Sequence, residues 1–215
     1  MIKIENTDVF GWETAIRGMR NPMNSWDKSD NSWVLSINPE TDDEGYFYRL
    51  GDNDFALMMK LAKAGSDHGK FMRMINVTCD IVAPLYWWKE FDTYKVGTVA
   101  NSCSTMHKIH AKEFTLDDFS HEHLNESSKA ILEDFVIATL NGNREMYLSA
   151  NDKHFWWQMI QLLPSSYNQR RTVQLNYQVL KNMYQARKNH KLDEWQDFCT
   201  WIKEELPYSK LITEA

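Results

Sequence analysis

The sequence has few cysteines and no long apolar segment, and each absence excludes a class of protein. Its three cysteines, Cys79, Cys103 and Cys199, are widely spaced and form no C-x-x-C pair. Neither a disulfide framework nor a cysteine zinc site is indicated, so reduced thiols are expected. The longest apolar run, Ile81–Trp88, is interrupted by Pro84 and is too short to cross a bilayer. Because the N-terminal residues also lack the apolar stretch of a signal peptide, we expect a soluble, cytoplasmic protein with no membrane partner.

Excess positive charge and the common phosphate-binding motifs are also missing. The 24 Lys and Arg residues are outnumbered by 30 Asp and Glu residues, which leaves a formal net charge of -6. Such a chain does not attract a polyphosphate duplex by bulk electrostatics, so we expect no nucleic-acid partner. The sequence contains no dinucleotide-binding glycine fingerprint, P-loop or nucleophile elbow.

Two histidine pairs are close enough in sequence to contribute metal ligands, namely His107 with His110 and His121 with His123. Histidines at such short spacing often lie on solvated loops. We therefore predict that the protein has no metal site.

The composition, with 43% hydrophobic residues, fits a single domain spanning residues 1–215. Residues 21–54 are rich in Asn, Asp, Ser and Gly, which predicts a long loop or hairpin, with an acidic turn at Pro39–Gly45. Asp54 is then predicted to cap a helix that stops at Gly65.

Alternating apolar residues from Phe71 to Ile81 predict a half-buried strand. Pro84 ends that strand and starts a short helix, Leu85–Phe91. The next segment, Tyr94–Met106, mixes small and hydroxyl side chains with a glycine and has no clean period. Such a segment lets the backbone approach a ligand closely.

The second half of the chain is predicted to be helical. The predicted helices are Ala130–Leu140, ended by an Asn141-Gly142-Asn143 turn, Phe155–Leu163, Ser166–Asn189 and Leu192–Leu206. One half with strands and one helical half indicate an α+β fold.

Two aromatic clusters could stack on a base or a flavin ring, Tyr86–Trp88 and the pair Trp156 and Trp157. Side chains of this size are more often core, and we interpret them as core. Within the predicted helix Ser166–Asn189, Asn176 and Arg187 are eleven residues apart, which places them on one face. Together they could bind a phosphate or a pyrimidine edge, or they could form a solvated stripe or an interhelical ion pair.

From about Asp8 to Ile212 the chain resembles the flavin-dependent thymidylate synthase family, most clearly near the C-terminus. The matching residues there, in the family's order, are Leu163-Pro164, Arg170, Asn176, Asn182, Arg187 and Pro207, with His190 one place early. The resemblance implies that Arg170 and Arg187 bind the dUMP phosphate and orient the uracil, which makes Arg187 the catalytic candidate. It implies that Asn176 and Asn182 contact the flavin. The implied fold is a small antiparallel sheet packed with helices and a helical C-terminal half.

The family's signature, Arg-His-Arg-x-x-Ser-x-Asn-Glu-x-Ser-x-Arg, is matched in position but not in charge. Without a gap, Arg-His-Arg becomes Thr93-Tyr94-Lys95, and the second Ser becomes Cys103. A one-residue slip places Ser104 there instead, and in neither register is the last position an arginine. The resemblance then implies that Tyr94 and Lys95 contact the flavin and that Cys103 or Ser104 contacts the substrate.

Two other flavin-binding features are altered. The family's flavin-binding Gly-His-x-Thr-Pro-x-Glu loop is echoed faintly in Gly65–Gly69, and Gln178 replaces a further flavin-contacting arginine. Each lost charged hydrogen bond removes about 1.5–3 kcal/mol. Lys95 restores one positive charge without the planar fork of an arginine.

Two functions follow as expectations. The first is an enzyme that uses FAD, with methylenetetrahydrofolate and NADPH as co-substrates, to transfer and reduce a one-carbon unit on dUMP or a related nucleotide. Cys103 could act there as a nucleophile. The second is a non-redox nucleotide-binding or scaffold protein that keeps the fold without flavin catalysis. The resemblance also implies a homotetramer with its active sites where subunits meet.

Overall fold

The computed structural model describes residues 2–37 and 44–215. In chain order the strands are β1 (Lys3–Phe10), β2 (Ser32–Ile37), β3 (Glu44–Arg49), β4 (Asn76–Pro84), β5 (Val99–Ser102) and β6 (Asn168–Asn176). The helices are α1 (Trp12–Arg20), α2 (Asp52–Lys63), α3 (Leu85–Phe91), α4 (Glu126–Ala130), α5 (Ala138–Ala150), α6 (Lys153–Leu162), α7 (Tyr177–Arg187), α8 (Asp193–Glu204) and α9 (Lys210–Thr213). A π-helical segment, Ile131–Ile137, joins α4 to α5. Within the described ranges, no helix is long and apolar enough to cross a membrane.

The architecture is α+β, as expected. A four-stranded antiparallel sheet in the order β1-β4-β6-β5 forms its centre, and β2 pairs with β3 in a separate hairpin. The hairpin lies within residues 21–54, where a loop or hairpin was predicted. The acidic turn predicted at Pro39–Gly45 falls largely outside the described residues.

The strand predicted between Phe71 and Ile81 is present but starts later. β4 begins at Asn76, and Val77, Cys79 and Ile81 point into the core as their alternation predicts. Phe71 instead lies in a short 3-10 helix, Gly69–Arg73. The alternation could not reveal this boundary because Phe71 is buried in the 3-10 helix, just as a residue on the inner face of a strand would be.

Helix α2 forms as predicted, but Asp54 is not its cap. The carboxylate of Asp30, in the loop between α1 and β2, accepts from the backbone N–H groups of Asn53 and Asp54, at 2.9 and 3.0 Å, and so caps the helix. Asp54 lies inside α2 and is fully buried. Its carboxylate accepts a hydrogen bond from the Nε–H of Arg20 at 2.7 Å, which joins α1 to α2.

The long helix predicted for Ser166–Asn189 is wrong in its first half. Residues Asn168–Asn176 form β6, which pairs with β4 on one side and with β5 on the other. The side-chain oxygen of Asn176 accepts from the N–H of Val179 at 3.0 Å and caps α7. Asn176 is therefore outside the helix, and the prediction that it shares a helical face with Arg187 is also wrong.

The predicted Asn141-Gly142-Asn143 helix stop is wrong as well, because the helix continues to Ala150. The side chain of Asn141 instead donates to and accepts from the backbone of Phe114, at 2.9 and 2.8 Å. The helix ends where Asn151 adopts a left-handed conformation, with φ 49°. The helices predicted at Phe155–Leu163 and Leu192–Leu206 correspond to α6 and α8.

The main core lies between the sheet and α1, α2, α3, α7, α8 and α9. Trp87 and Trp88 are almost fully buried there, which confirms their interpretation as core. Trp157 is 43% exposed, so the same interpretation is wrong for that residue. A smaller apolar cluster joins α5 and α6 to the segment before α4.

Candidate functional site

The loop after α3 and the C-terminal end of α7, which the resemblance singles out separately, meet in space. Nε of Arg187 donates to the phenolic oxygen of Tyr94 at 2.9 Å. A second guanidinium nitrogen lies 2.6 Å from the carboxylate of Glu90 near the end of α3. The structure thus brings Tyr94 and Arg187 into contact and places Arg187 in an interhelical ion pair, one of the uses that its spacing had left open.

Two further side chains complete this cluster around Glu90. The guanidinium carbon of Arg187 lies 4.8 Å from the ring centroid of Trp195, and the Trp195 indole N–H donates to Glu90 at 3.0 Å. Nε2 of His190 lies 3.3 Å from the same carboxylate. Stacking and charge-assisted hydrogen bonds hold the Arg187 side chain, which is 19% exposed, in one orientation. We call Glu90, Tyr94, Arg187, His190 and Trp195 the arginine cluster.

The loop after Tyr94 also packs against the start of α7. Gly97 has φ +79°, and a Cβ built there would lie 2.7 Å from the side-chain nitrogen of Asn176. A side chain at this position would collide with Asn176, so a glycine is required for the close approach. Asn176 itself is buried, and its oxygen is used in the cap of α7.

The Gly65–Gly69 segment and helix α7, which the resemblance assigns to flavin binding, are also neighbours. A Cβ built on Gly69 would lie 3.6 Å from the side-chain oxygen of Gln178. Gln178 donates in turn to the side-chain oxygen of Asn182, one turn along α7, at 3.1 Å. The Gly65–Gly69 segment thus adjoins a pair of amide side chains on α7. Lys95 is exposed on the loop after α3.

The substrate-binding candidates Cys103 and Ser104 follow the edge strand β5. The N–H of Cys103 donates to the backbone oxygen of Arg170 at 2.9 Å, and the Cys103 side chain is exposed. The hydroxyl oxygen of Ser104 accepts from the backbone N–H groups of Met106 and His107, so it stabilises the next turn.

Arg170 lies on the exposed face of the sheet and is engaged there by acidic groups. It donates to Asp80 at 2.7 Å and lies 3.5 Å from Glu5. Hydrogen bonds from Thr172, Arg170 and Asn6, in that order of effect, hold the pKa of Asp80 well below its usual value. Arg187 packs against Trp195 in the helical layer, and within the described part of one chain the structure does not bring the two arginines together.

Sequence reasoning missed a second stacked arginine, Arg171. Its guanidinium carbon lies 4.2 Å from the ring centroid of Trp88, and it pairs with Asp92 at 2.7 Å. Strand alternation would have turned Arg171 inward, had β6 been recognised as a strand. Among the residues the structure describes, no group of three His, Cys, Asp or Glu side chains is placed to hold a metal ion.

The α+β architecture, with its small antiparallel sheets packed by helices, is shared with solved flavin-dependent thymidylate synthases. Two solved structures of the Helicobacter pylori flavin-dependent thymidylate synthase share the fold, and each is a complex with FAD and dUMP. One has a TM-score of 0.68 and 16% identity, and covers 98% of this chain and 97% of that chain. The other has a TM-score of 0.69 and 15% identity, and covers 99% and 97%. The fold implied by the sequence resemblance is confirmed.

Comparison by sequence, by contrast, finds no match. No protein-family model matches the chain, and no curated protein matches it significantly. The likeness is therefore one of fold, and the role of each side chain has to be argued from its own surroundings.

Proposed function

We propose that the protein is a flavin-dependent enzyme of the thymidylate synthase type, which uses FAD to transfer and reduce a one-carbon unit on dUMP or a related pyrimidine nucleotide. The contact of Arg187 with Tyr94 carries this proposal, because it joins the altered signature segment to the C-terminal helix. Methylenetetrahydrofolate and NADPH are the proposed co-substrates, and the cytoplasm, where thiols stay reduced, is the proposed location.

The nucleotide side of the proposed site is the arginine cluster. Its bonds to Glu90 and Tyr94 use only part of the donor capacity of the Arg187 guanidinium. The remaining N–H groups suit the oxygens of a uracil or a phosphate, while the ring of Trp195 keeps the guanidinium plane fixed. In this role Arg187 orients the pyrimidine for reaction.

The residues on the flavin side fit the ring of the cofactor more closely than its diphosphate. The amides of Gln178 and Asn182 offer donors and acceptors that complement the carbonyl and N–H edge of an isoalloxazine. Lys95 supplies one positive charge for the diphosphate. Asn176 packs against Gly97 in the loop that carries Lys95. When bound, FAD supplies the hydride chemistry, and these side chains position it.

The proposed site is completed between subunits of a homotetramer. Strand β5 is an exposed edge, and its first residue, Val99, and Val96 just before it are 64% and 89% exposed. An apolar sheet edge of this kind is suited to burial against another subunit. In this arrangement Arg170, Cys103 and Ser104 of one subunit contact a nucleotide held by Arg187 of another.

Flavin binding is the direct test of this proposal. Titration of the purified protein with FAD is expected to shift the flavin absorption spectrum and raise the melting temperature, and dUMP is expected to enlarge both effects. FAD at 100 times its Kd would stabilise the fold by about 2.7 kcal/mol. Colourless protein that gives no spectral change and no stabilisation, with or without dUMP, would reject flavin catalysis.

Replacing Arg187 with alanine is expected to weaken dUMP binding by about 10 to 100-fold, the effect of losing one or two hydrogen bonds to a charged group. Arg171→Ala is the matched control, because Arg171 is also a stacked, ion-paired arginine with little exposure. Both variants should lose similar stability, whereas calorimetric titration with dUMP should change only for Arg187→Ala. Unchanged binding of every nucleotide tested would remove the proposed nucleotide site.

Two observations favour a second function, nucleotide binding without flavin catalysis. Glu90 already neutralises Arg187, and uncharged Thr93 and Gln178 stand where the family has arginines. A protein that is stabilised by dUMP through Arg187, but not by FAD, would have this second function.

A further inference from the structure

A cavity of about 870 Å³ opens on the part of the molecule that carries the β2–β3 hairpin. It lies between that hairpin, the turn from β1 into α1, and the segment before α9. None of the residues proposed above for nucleotide or flavin lines it. Its aromatic lining consists of Phe10, Trp12, Trp33, Tyr46, Tyr48 and Tyr208.

The aromatic rings stand at steep angles to one another. The rings of Trp33 and Tyr48 have centroids 5.2 Å apart and planes 74° apart. The rings of Trp12 and Tyr208 have centroids 5.3 Å apart and planes 70° apart. Rings inclined to one another in this way, with Phe10, Trp33 and Tyr46 exposed, resemble the cage around an organic cation more than the flat platform that stacks a base or a sugar.

Among the described residues, the charged groups in the lining are all negative. Asp8 and Glu13 contribute carboxylates, and no lysine, arginine or histidine of the described ranges lines the cavity. One carboxylate oxygen of Glu13 accepts from the indole N–H of Trp33 at 2.6 Å, which holds the acidic group against the Trp33–Tyr48 ring pair. A carboxylate beside ring faces creates a local potential that attracts cations.

Tyr48, which also lines the cavity, is influenced by negative charges as well. Its hydroxyl is buried and has no hydrogen-bond partner among the described residues. Burial, and then the charges of Glu13 and Asp54, raise the pKa of Tyr48 above its ordinary value, so this side chain stays neutral. A buried hydroxyl and ring beside two carboxylates would not suit an anionic ligand.

We propose that this cavity binds an organic cation of the alkylammonium class, with its charged head between the ring faces and the carboxylates of Asp8 and Glu13. The volume exceeds that of a small ammonium ion and leaves room for an alkyl chain along the apolar wall. The ammonium group belongs either to a free polyamine or to a lysine side chain of a partner protein. The proposal does not depend on flavin or nucleotide binding, since the residues are different.

The charge requirement is tested with an isosteric pair of probes. Choline and its neutral isostere 3,3-dimethyl-1-butanol are titrated into the full chain at constant ionic strength, and binding is followed by calorimetry and tryptophan fluorescence. Choline is expected to bind at least about tenfold more tightly than the alcohol, because cation–π attraction and the carboxylates act only on the charged head. Equal binding of the two probes, or binding of neither, overturns the proposal.

Variants then assign the binding to this cavity. Trp33→Ala and the isosteric Glu13→Gln are each expected to weaken choline binding by about tenfold. Trp26→Ala is the matched control, because Trp26 is similarly exposed, 50% against 56% for Trp33, and also donates its indole N–H to a side-chain oxygen. Glu13→Gln keeps the shape of the side chain, so a folded variant that binds choline normally would overturn the role of the charge.

The two sources of the cation are separated by comparing spermidine with a short lysine-containing peptide. Tighter binding of spermidine assigns the cavity to a free polyamine, and tighter binding of the peptide assigns it to a partner protein. Either result supports the proposal if Glu13→Gln weakens binding of the preferred ligand. Spermidine and peptide binding that is unaffected by both Trp33→Ala and Glu13→Gln overturns it.

Discussion

Replacing Asp54 with alanine is expected to lower the free energy of unfolding by about 3–5 kcal/mol, because the guanidinium of Arg20 would stay buried without its carboxylate. Arg20 is 4% exposed, and Asp54 is fully buried. An arginine cannot lose its proton to escape the cost of burial. Removing the acid should therefore be more damaging than removing the base, since a buried carboxyl left alone can become neutral.

The surrounding hydrogen bonds add to this loss. The hydroxyl of Ser29 donates to Asp54 at 2.6 Å, and the side chain of Asn31 donates at 3.2 Å. Burial alone would raise the pKa of Asp54, but bonds from Ser29, Arg20 and Asn31 outweigh it and keep the pKa below its usual value. Removing Asp54 would thus also release the loop between α1 and β2 from the start of α2.

Urea denaturation of Asp54→Ala and of Asp92→Ala measures this effect. Asp92 also pairs with an arginine, but it is 52% exposed, and Arg171 keeps its bond to Gln169 and its stacking on Trp88, so the loss should cost only about 1 kcal/mol. A double variant, Arg20→Met with Asp54→Leu, should recover much of the stability, because it leaves no buried charge unpaired. Equal losses for Asp54→Ala and Asp92→Ala would show that the buried pair contributes no more than a pair whose carboxylate is half exposed.

Local signals in the sequence were enough to predict part of the fold. The alternation in β4, the proline that begins α3 and the apolar periods of α6 and α8 all act within a few residues, so each can be recognised without the rest of the chain. Strand β6 could not be recognised in this way. Its residues include good helix formers, and its pairing with β4 and β5 on both sides outweighs that propensity.

The same limit applies to the candidate site. Tyr94, Asn176 and Arg187 could be named from the resemblance, but Glu90 could not, although it engages Arg187 directly. The two residues are 97 positions apart in sequence, and neither carries a local sign of the ion pair. The cavity beside the hairpin was equally hidden, since its walls come from β1, the start of α1, both hairpin strands and the segment before α9.

Replacing Gly11 with alanine is expected to lower the free energy of unfolding by more than about 4 kcal/mol, a loss that single substitutions rarely cause. Gly11 precedes α1 with φ +96°, where an L side chain is already strained. A Cβ built there would also lie 2.1 Å from the backbone oxygen of Met74. A backbone atom cannot rotate away as a side chain does, so α1 would have to separate from the segment that leads into β4.

Gly65→Ala separates the steric cost from the conformational one. Gly65 has a similar φ, +104°, but nothing lies within 4 Å of its built Cβ, so only the strain of about 1–2 kcal/mol should appear. The difference between the two variants in urea denaturation then measures the collision with Met74. Equal losses would mean that the backbone around Met74 can shift at little cost. That result would also mean that the β1–α1 turn is not a rigid wall of the proposed cation cavity, because Gly11 and Trp12 belong to that wall.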